Sequence, residues 1–238
     1  MWVVVCLSII LCLGMVGIHS VSGTPSNPEI FLKGSVPYGV PYEDWIAKWW
    51  QWNLQIPKEQ HPIVNDSLTT CPVGESGPVS FLTQKLQGQT QYSCTIPSGH
   101  AILAPIGTGE CTTDEAKTSV PEEMINCATT GDKFLTINTV SIDGVPLNDL
   151  EQSYVIGTQM NDLGKNYAIT KIFNITIPEN NFLELKPGKW KDAAGGYFIF
   201  LKPLSPGDHA IRISAKVNNP LDPTYNYNYD TKFLLKVQ

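Results

Sequence analysis

Residues 225–237, YNYNYDTKFLLKV, alternate strictly: Tyr225, Tyr227, Tyr229, Thr231, Phe233, Leu235 and Val237 share one face, and mostly polar side chains take the other. A period of two sustained over that length predicts a strand with one buried face. His209, Ile211, Ile213, Ala215 and Val217 repeat the pattern against Arg212, Ser214 and Lys216. GYFIFLK at 196–202 is apolar on both faces, as a central strand covered on two sides must be. PLSPGDH joins these two segments as a turn, and Asp143-Gly144 in SIDGVPL is a hairpin signal. TQYSCTI, HAILAPI, FLTINTVSI and AITKIFNITI supply further strands separated by Pro, Gly and Asn. Short strands joined by hairpins rather than crossover helices predict one mainly antiparallel β-sandwich, immunoglobulin-like or jelly-roll-like.

A helical period appears once with force, in EDWIAKWWQWNLQIP at 43–57, which holds Trp45, Trp49, Trp50 and Trp52. Pro41 suits a first turn, Glu43 and Asp44 favour its positive end, and Pro57 stops it. Asp44, Lys48, Gln51 and Gln55 form a narrow polar stripe; Trp45, Trp49, Trp52 and Ile56 lie on one flank, Ile46, Trp50 and Leu54 on the other. An apolar arc that wide predicts a helix packed on a sheet. The other reading makes one flank of the tryptophans the wall of a ligand groove. The tyrosines at 225, 227 and 229 carry the same pair of readings, cross-strand packing or contact surface. A second short helix is expected from Pro121 to Ala128, with Ser119 and Glu122 at capping-box spacing and Gly131 after its end.

The first stretch, Met1–Ile18, carries no charged side chain and is followed by Ser20, Ser22 and Gly23. This is the pattern of a signal peptide cleaved near Gly23, leaving a domain at 24–238; an uncleaved membrane anchor is the alternative. Both put the domain outside the cytoplasm, secreted or at the cell surface, with membrane contact only through the leader. Cys71, Cys94, Cys111 and Cys127 then remain, an even number that predicts two disulfides. Pairing Cys71 with Cys94 and Cys111 with Cys127 closes the shortest loops. Asn65-Asp66-Ser67 and Asn174-Ile175-Thr176 are sequons, the first in a polar loop, the second in a strand where Asn174 must point outward.

The net charge of −6 is spread thinly, without the basic stripe that neutralises phosphates, so nucleic acid is not expected as a partner. No nucleophile elbow, HExxH helix, phosphate loop or dinucleotide fingerprint occurs, and no cofactor is implied. The cysteine spacings do not suit zinc, and no calcium loop is recognisable. His61, His100 and His209 would have to converge in space to hold copper or zinc, and nothing in their spacing requires it. His209, on the inward face of its strand, is the histidine of most interest. PEEM reads as a helix start and NDL, at 148 and 161, as turns, so no carboxylate pair stands out.

Taken together, YEDWIAKWWQW, HPIVND, Cys71 ahead of SGPVSFL, CTIPSGHAILAPI and LSPGDHAI resemble a family of exported microbial proteins of unassigned function. A WWQW helix, a cysteine before a Gly-Pro-Val strand and a Cys-x-x-Pro-x-Gly turn carry the resemblance, which spans almost the whole chain after the leader. It implies one export-competent domain with the same four cysteines, and no reaction or ligand. Where that family has Lys or Arg this chain has His100, which argues against His100 as a required ligand; the turn before His209 fits the pattern better. The expectation is a binding or surface-interaction module for a glycan or another surface protein, with Trp45, Trp49, Trp50, Trp52, Tyr225, Tyr227, Tyr229 and His209 as candidate contacts. The alternatives are a hydrolase of extracellular polymer using His209 with a carboxylate, and a metal-handling sandwich.

Overall fold

The computed structural model describes residues 29–147, 166–220 and 223–238. In chain order these form α1 (Tyr42–Gln55), β1 (Val73–Ser76), β2 (Val79–Leu82), β3 (Gln87–Ile96), β4 (Ala101–Thr112), α2 (Thr113–Ala116), α3 (Pro121–Thr129), β5 (Leu135–Ile142) and β6 (Val145–Pro146). After the break come β7 (Tyr167–Ile169), β8 (Phe173–Ile177), β9 (Gly188–Leu201), β10 (Gly207–Val217) and β11 (Tyr227–Val237). One sheet runs β1-β2-β4-β9-β7, with β8 also on β9, and the other runs β3-β11-β10-β5-β6. The leader, both NDL turns and the Tyr225 side chain lie outside the described residues.

Strand β9 sets the layering. Its Tyr197, Ile199 and Leu201 enter the space between the sheets, where they meet Ile102, Ile211 and Phe233. Phe198 and Phe200 leave by the opposite face and pack with Tyr42, Trp45, Ile46, Trp49 and Leu54 of α1. The segment that is apolar on both faces in sequence is thus covered by a helix on one side and a sheet on the other. Each such side chain withdrawn from water contributes about 1.5–3 kcal/mol before ordering costs. Three indole N–H groups that α1 takes into this layer are satisfied: Trp45 donates to the Pro37 carbonyl at 3.1 Å, Trp49 to the Leu82 carbonyl at 2.7 Å, and Trp50 to Thr108 Oγ1 at 3.2 Å. Fixed donors of this kind orient the rings as well as bury them.

The pairing is mainly antiparallel, as the sequence predicts, with two parallel ladders that the sequence does not specify. β3 runs parallel to β11 and β2 parallel to β4; the other ladders are antiparallel. Side-chain alternation specifies which face a residue takes and is silent about the direction of the neighbouring strand. The capping box also lies elsewhere than expected. α3 starts one residue late for Ser119, so Val120 is the cap and its side chain offers no acceptor. The reciprocal box forms instead at α2, where Thr112 Oγ1 accepts from Glu115 N at 3.2 Å and Glu115 Oε2 accepts from Thr112 N at 2.9 Å.

Both disulfides pair as the loop argument favours, Cys71–Cys94 and Cys111–Cys127, with Cα separations of 5.4 and 5.8 Å. The second ties α3 to β4, and α3 lies close because Gly109 leaves room: a Cβ there would stand 2.3 Å from the Ala128 carbonyl oxygen. Gly74 makes the equivalent space for Trp52, whose ring would be 2.3 Å from an added Cβ. No helix among the described residues is long and apolar enough to cross a membrane.

Candidate functional site

His209 sits where two turns meet. The β5–β6 turn places Asp143 and Gly144 at φ 52° and 79°, the left-handed pair that a two-residue hairpin of this kind requires. Asp143 Oδ1 accepts from Ala210 N at 2.7 Å, and its Oδ2 lies 2.7 Å from His209 Nδ1. On the far side of the ring, Nε2 is 2.9 Å from the Ser205 carbonyl oxygen and 3.3 Å from Ser205 Oγ. Serine, histidine and aspartate are therefore in contact in the order a nucleophilic triad uses. The protonation pattern is opposite to that of a triad. A carboxylate and a carbonyl only accept, so both ring nitrogens donate and the imidazolium is the favoured form. Partial burial alone would lower the His209 pKa, but the bonds to Asp143 and to the Ser205 carbonyl outweigh it and raise it. A base for Ser205 needs a free Nε2 lone pair, which this arrangement uses up. His209 acts here as a latch between the β5–β6 and β9–β10 turns.

The other histidines do not join it. His61 is fully buried, its Nε2 3.1 Å from Asn53 Oδ1 and its Nδ1 accepting from Ile63 N at 3.2 Å, with the ring stacked on Phe182 at 3.6 Å between centroids. Burial pushes its pKa down to about 3, so the neutral ring is structural. His100 Nδ1 lies 3.1 Å from Ser80 Oγ. Among the described residues no group of three or more His, Cys, Asp and Glu side chains is arranged to hold a metal.

Buried acids cluster at the other end of β4 and β9. Asp192 is fully buried, and its Oδ1 accepts from Cys111 N at 3.2 Å. Asp192 Oδ2 and the Oε2 of neighbouring Glu110 have no N–H or hydroxyl donor, and the two carboxyls are left to share a proton with each other. Burial pushes the Asp192 pKa up to about 7 against the opposing hydrogen bond from Glu110, and burial with the Asp192 charge raises Glu110 well above the usual range. Asp192 faces the Cys111 backbone, not an open cleft between two carboxyls wide enough to hold a sugar.

Trp45, Trp49 and Trp50 are 3%, 2% and 5% exposed, and Trp52 is half-buried against Phe81. Tyr229 is buried and donates to the Ile106 carbonyl, while Tyr227 is half-buried. The rings that stand out in the sequence are mostly committed to packing.

An open groove of about 450 Å³ lies instead at the β8–β9 ladder, lined by Asn174, Ile175, Thr176, Lys189, Trp190 and Lys191. The register sets Asn174 opposite Lys191, Ile175 opposite Trp190 and Thr176 opposite Lys189. Trp190 is held by its N–H, which donates to the Lys186 carbonyl at 2.8 Å, and Lys186 Nζ stands 5.3 Å from the ring centroid. The free edge of β8 is closed by α1: Gln51 Oε1 accepts from Thr176 N at 2.9 Å while Gln51 Nε2 and Gln55 Nε2 donate to the Thr176 carbonyl at 3.0 and 2.8 Å. Two members of the polar stripe of α1 thus brace the groove wall. Asn174 is exposed here, whereas half-buried Asn65 donates its amide to the Glu59 carbonyl at 2.8 Å and accepts from Ser67. Sequence reasoning passed over Lys189 and Lys191; their signal was two lysines alternating about a tryptophan in KPGKWKD, which puts both on one face of a strand and Trp190 on the other.

No protein-family model matches the chain, and no curated protein matches it. Two solved structures are weakly similar. The crystal structure of the cysteine protease inhibitor EhICP2 from Entamoeba histolytica is 11% identical, with 67% of this chain and 96% of that chain covered at a TM-score of 0.24. The solution structure of Amebosin is 10% identical, with 68% and 100% covered at a TM-score of 0.21. Likeness this slight carries no inference about function.

Proposed function

We propose that the protein is an extracellular binding module and that the β8–β9 groove binds an anionic glycan. The observation that carries this reading is the exposed face of the β8–β9 ladder, where Lys189 and Lys191 stand beside Asn174 and Thr176 on a protein of net charge −6, while Trp190 between them turns to the opposite face with Ile175 and packs against the core under α1. The two ammonium groups pair with uronate or sulfate, and Asn174 and Thr176 add an amide and a hydroxyl on the same face for ring oxygens, with Trp190 anchoring the strand from behind. Among the described residues neither Lys189 nor Lys191 has a carboxylate partner, whereas Lys186 is 3.8 Å from Asp114. Strands hold these groups with less freedom than loops would, which lowers the ordering cost of binding. The two disulfides are compatible with life outside the cell.

Calorimetric titration with oligogalacturonate and with its methyl-esterified, neutral counterpart tests this. Binding of the acidic form only, weakened at least tenfold by K189E/K191E and reduced by salt, is the expected result. Equal binding of both forms, or wild-type affinity in K189E/K191E, overturns it. Asn174→Gln is run in parallel, because a glycan on that asparagine would fill the same groove.

A further inference from the structure

We infer that the turns at Leu32–Gly39 form a membrane-contact patch that seats the domain on a lipid bilayer. Leu32, Val36 and Tyr38 are 42%, 59% and 45% exposed, and these three of the protein's large exposed apolar side chains fall within seven consecutive residues; Val64, Val120 and Leu183 are scattered elsewhere. Their display is rigid. Ser35 N donates to the Leu32 carbonyl at 3.0 Å, Gly39 N to that of Val36 at 3.3 Å, and Tyr42 N to that of Ser35 at 3.0 Å. The Trp45 indole holds the Pro37 carbonyl from below. Tyr38 adopts φ 55°, ψ 30°, a left-handed conformation that costs a bulky residue free energy, and its ring meets Phe31 edge-on at 5.9 Å. A packing requirement does not explain the strain, since the ring it orients is left half in solvent.

The chain outside the described residues decides what covers the patch. Met1–Ile18 carries no charged side chain, and the covalent chain from Ile18 to Ile30 spans at most about 40 Å when fully extended. While the leader occupies a bilayer, the described segment tethered nearest to it is residues 29–39, within which Leu32–Gly39 follows directly on the Ile30–Leu201 bridge. The composition suits that surface: leucine and valine for the acyl boundary, tyrosine for the headgroup level, and exposed Lys33 at the rim for a phosphate, while Lys202 is paired with Glu29 at 2.6 Å.

The test uses the full chain in phosphatidylcholine vesicles containing a diazirine-bearing phosphatidylcholine, which labels on illumination whatever touches lipid. Peptide mapping should find residues 30–40 labelled at least fivefold more than the β11 segment 228–236. The double variant Leu32→Asp/Val36→Asp, changed at exposed positions only, should bring the two to the same level while the fold is retained by circular dichroism. Equal labelling in the wild type, or label confined to the leader, overturns the inference. Chain-to-chain cross-links through residues 30–40 also overturn it, by assigning the patch to a second copy. None of these outcomes depends on the β8–β9 groove.

Discussion

Asp132, buried at 8% exposure between α3 and β5, accepts a single hydrogen bond from the Tyr167 hydroxyl at 2.8 Å. Burial pushes its pKa up from 3.8 to about 7, against the smaller opposing pull of that bond. The folded state therefore holds a proton that the unfolded chain releases. The stability this contributes is fully present below pH 3.8 and is lost as pH rises toward 7. Three units at 1.36 kcal/mol each set the loss at about 4 kcal/mol, an upper bound because water entry relieves part of it. Asp132→Asn keeps a carbonyl for Tyr167 and removes the titration. Guanidinium unfolding at pH 4, 6 and 8, followed by tryptophan emission, should show the wild type losing about 2–4 kcal/mol more than the variant across that range. Glu110, Asp192, His209 and His61 titrate in both proteins and cancel in the difference. Parallel stability curves separated by a constant offset would refute the reasoning, for Asp132 would then be ionised when folded.

The other predictions concern single contacts. His209→Gln removes the imidazolium latch, whose raised pKa makes its contribution present below about pH 6.5 and lost as pH rises through the folded value; a cost of about 1 kcal/mol at pH 5.5 that vanishes by pH 9 is expected in thermal melts. Ser205→Ala should leave any esterase turnover of the preparation unchanged, and a hundredfold loss would restore the triad reading. Replacing Cys111 and Cys127 by alanine opens a loop of 16 residues and should cost about 3 kcal/mol in denaturant unfolding. Gly74→Ala drives a methyl group into the Trp52 ring and should destabilise by about 1–3 kcal/mol with a red-shifted emission; an unchanged spectrum would mean that the ring has room to retreat.

What the sequence made legible was facial. Tyr229, Phe233 and Leu235 in β11, Ile211 and Ile213 in β10, and the doubly covered β9 all take the sides that their periodicity assigns. The helix of tryptophans is core because four rings leave no solvent arc apart from Asp44, Lys48, Gln51 and Gln55. Adjacency was not legible. His209 and Asp143 are 66 residues apart, and no local rule brings a β5–β6 turn to the start of β10. The groove arises from the register that aligns Asn174 with Lys191, so its lysines look like ordinary solvated positions until β8 and β9 are paired. The shift of the capping box from Ser119 to Thr112 has a similar origin: the spacing occurs twice, and tertiary packing selects where a helix may start.

The parallel ladder between β3 and β11 carries a consequence for biogenesis. Gln87 aligns with Asn228, and β11 follows every other described strand in sequence yet lies in the interior of its sheet, between β3 and β10. Both disulfides, by contrast, fall between residues 71 and 127. In a chain threaded N-terminus first through a membrane, the cysteines reach an oxidising compartment while the slot that β11 must fill is still open. Over that interval the edge of β3 that β11 pairs has no partner, and loop closure across the intervening chain is slow. Removing β11 would cut β3 off from β10, β5 and β6, so an early strand of the sheet stays unpaired until a much later one arrives, and dependence on a holding chaperone should end only when β11 has docked.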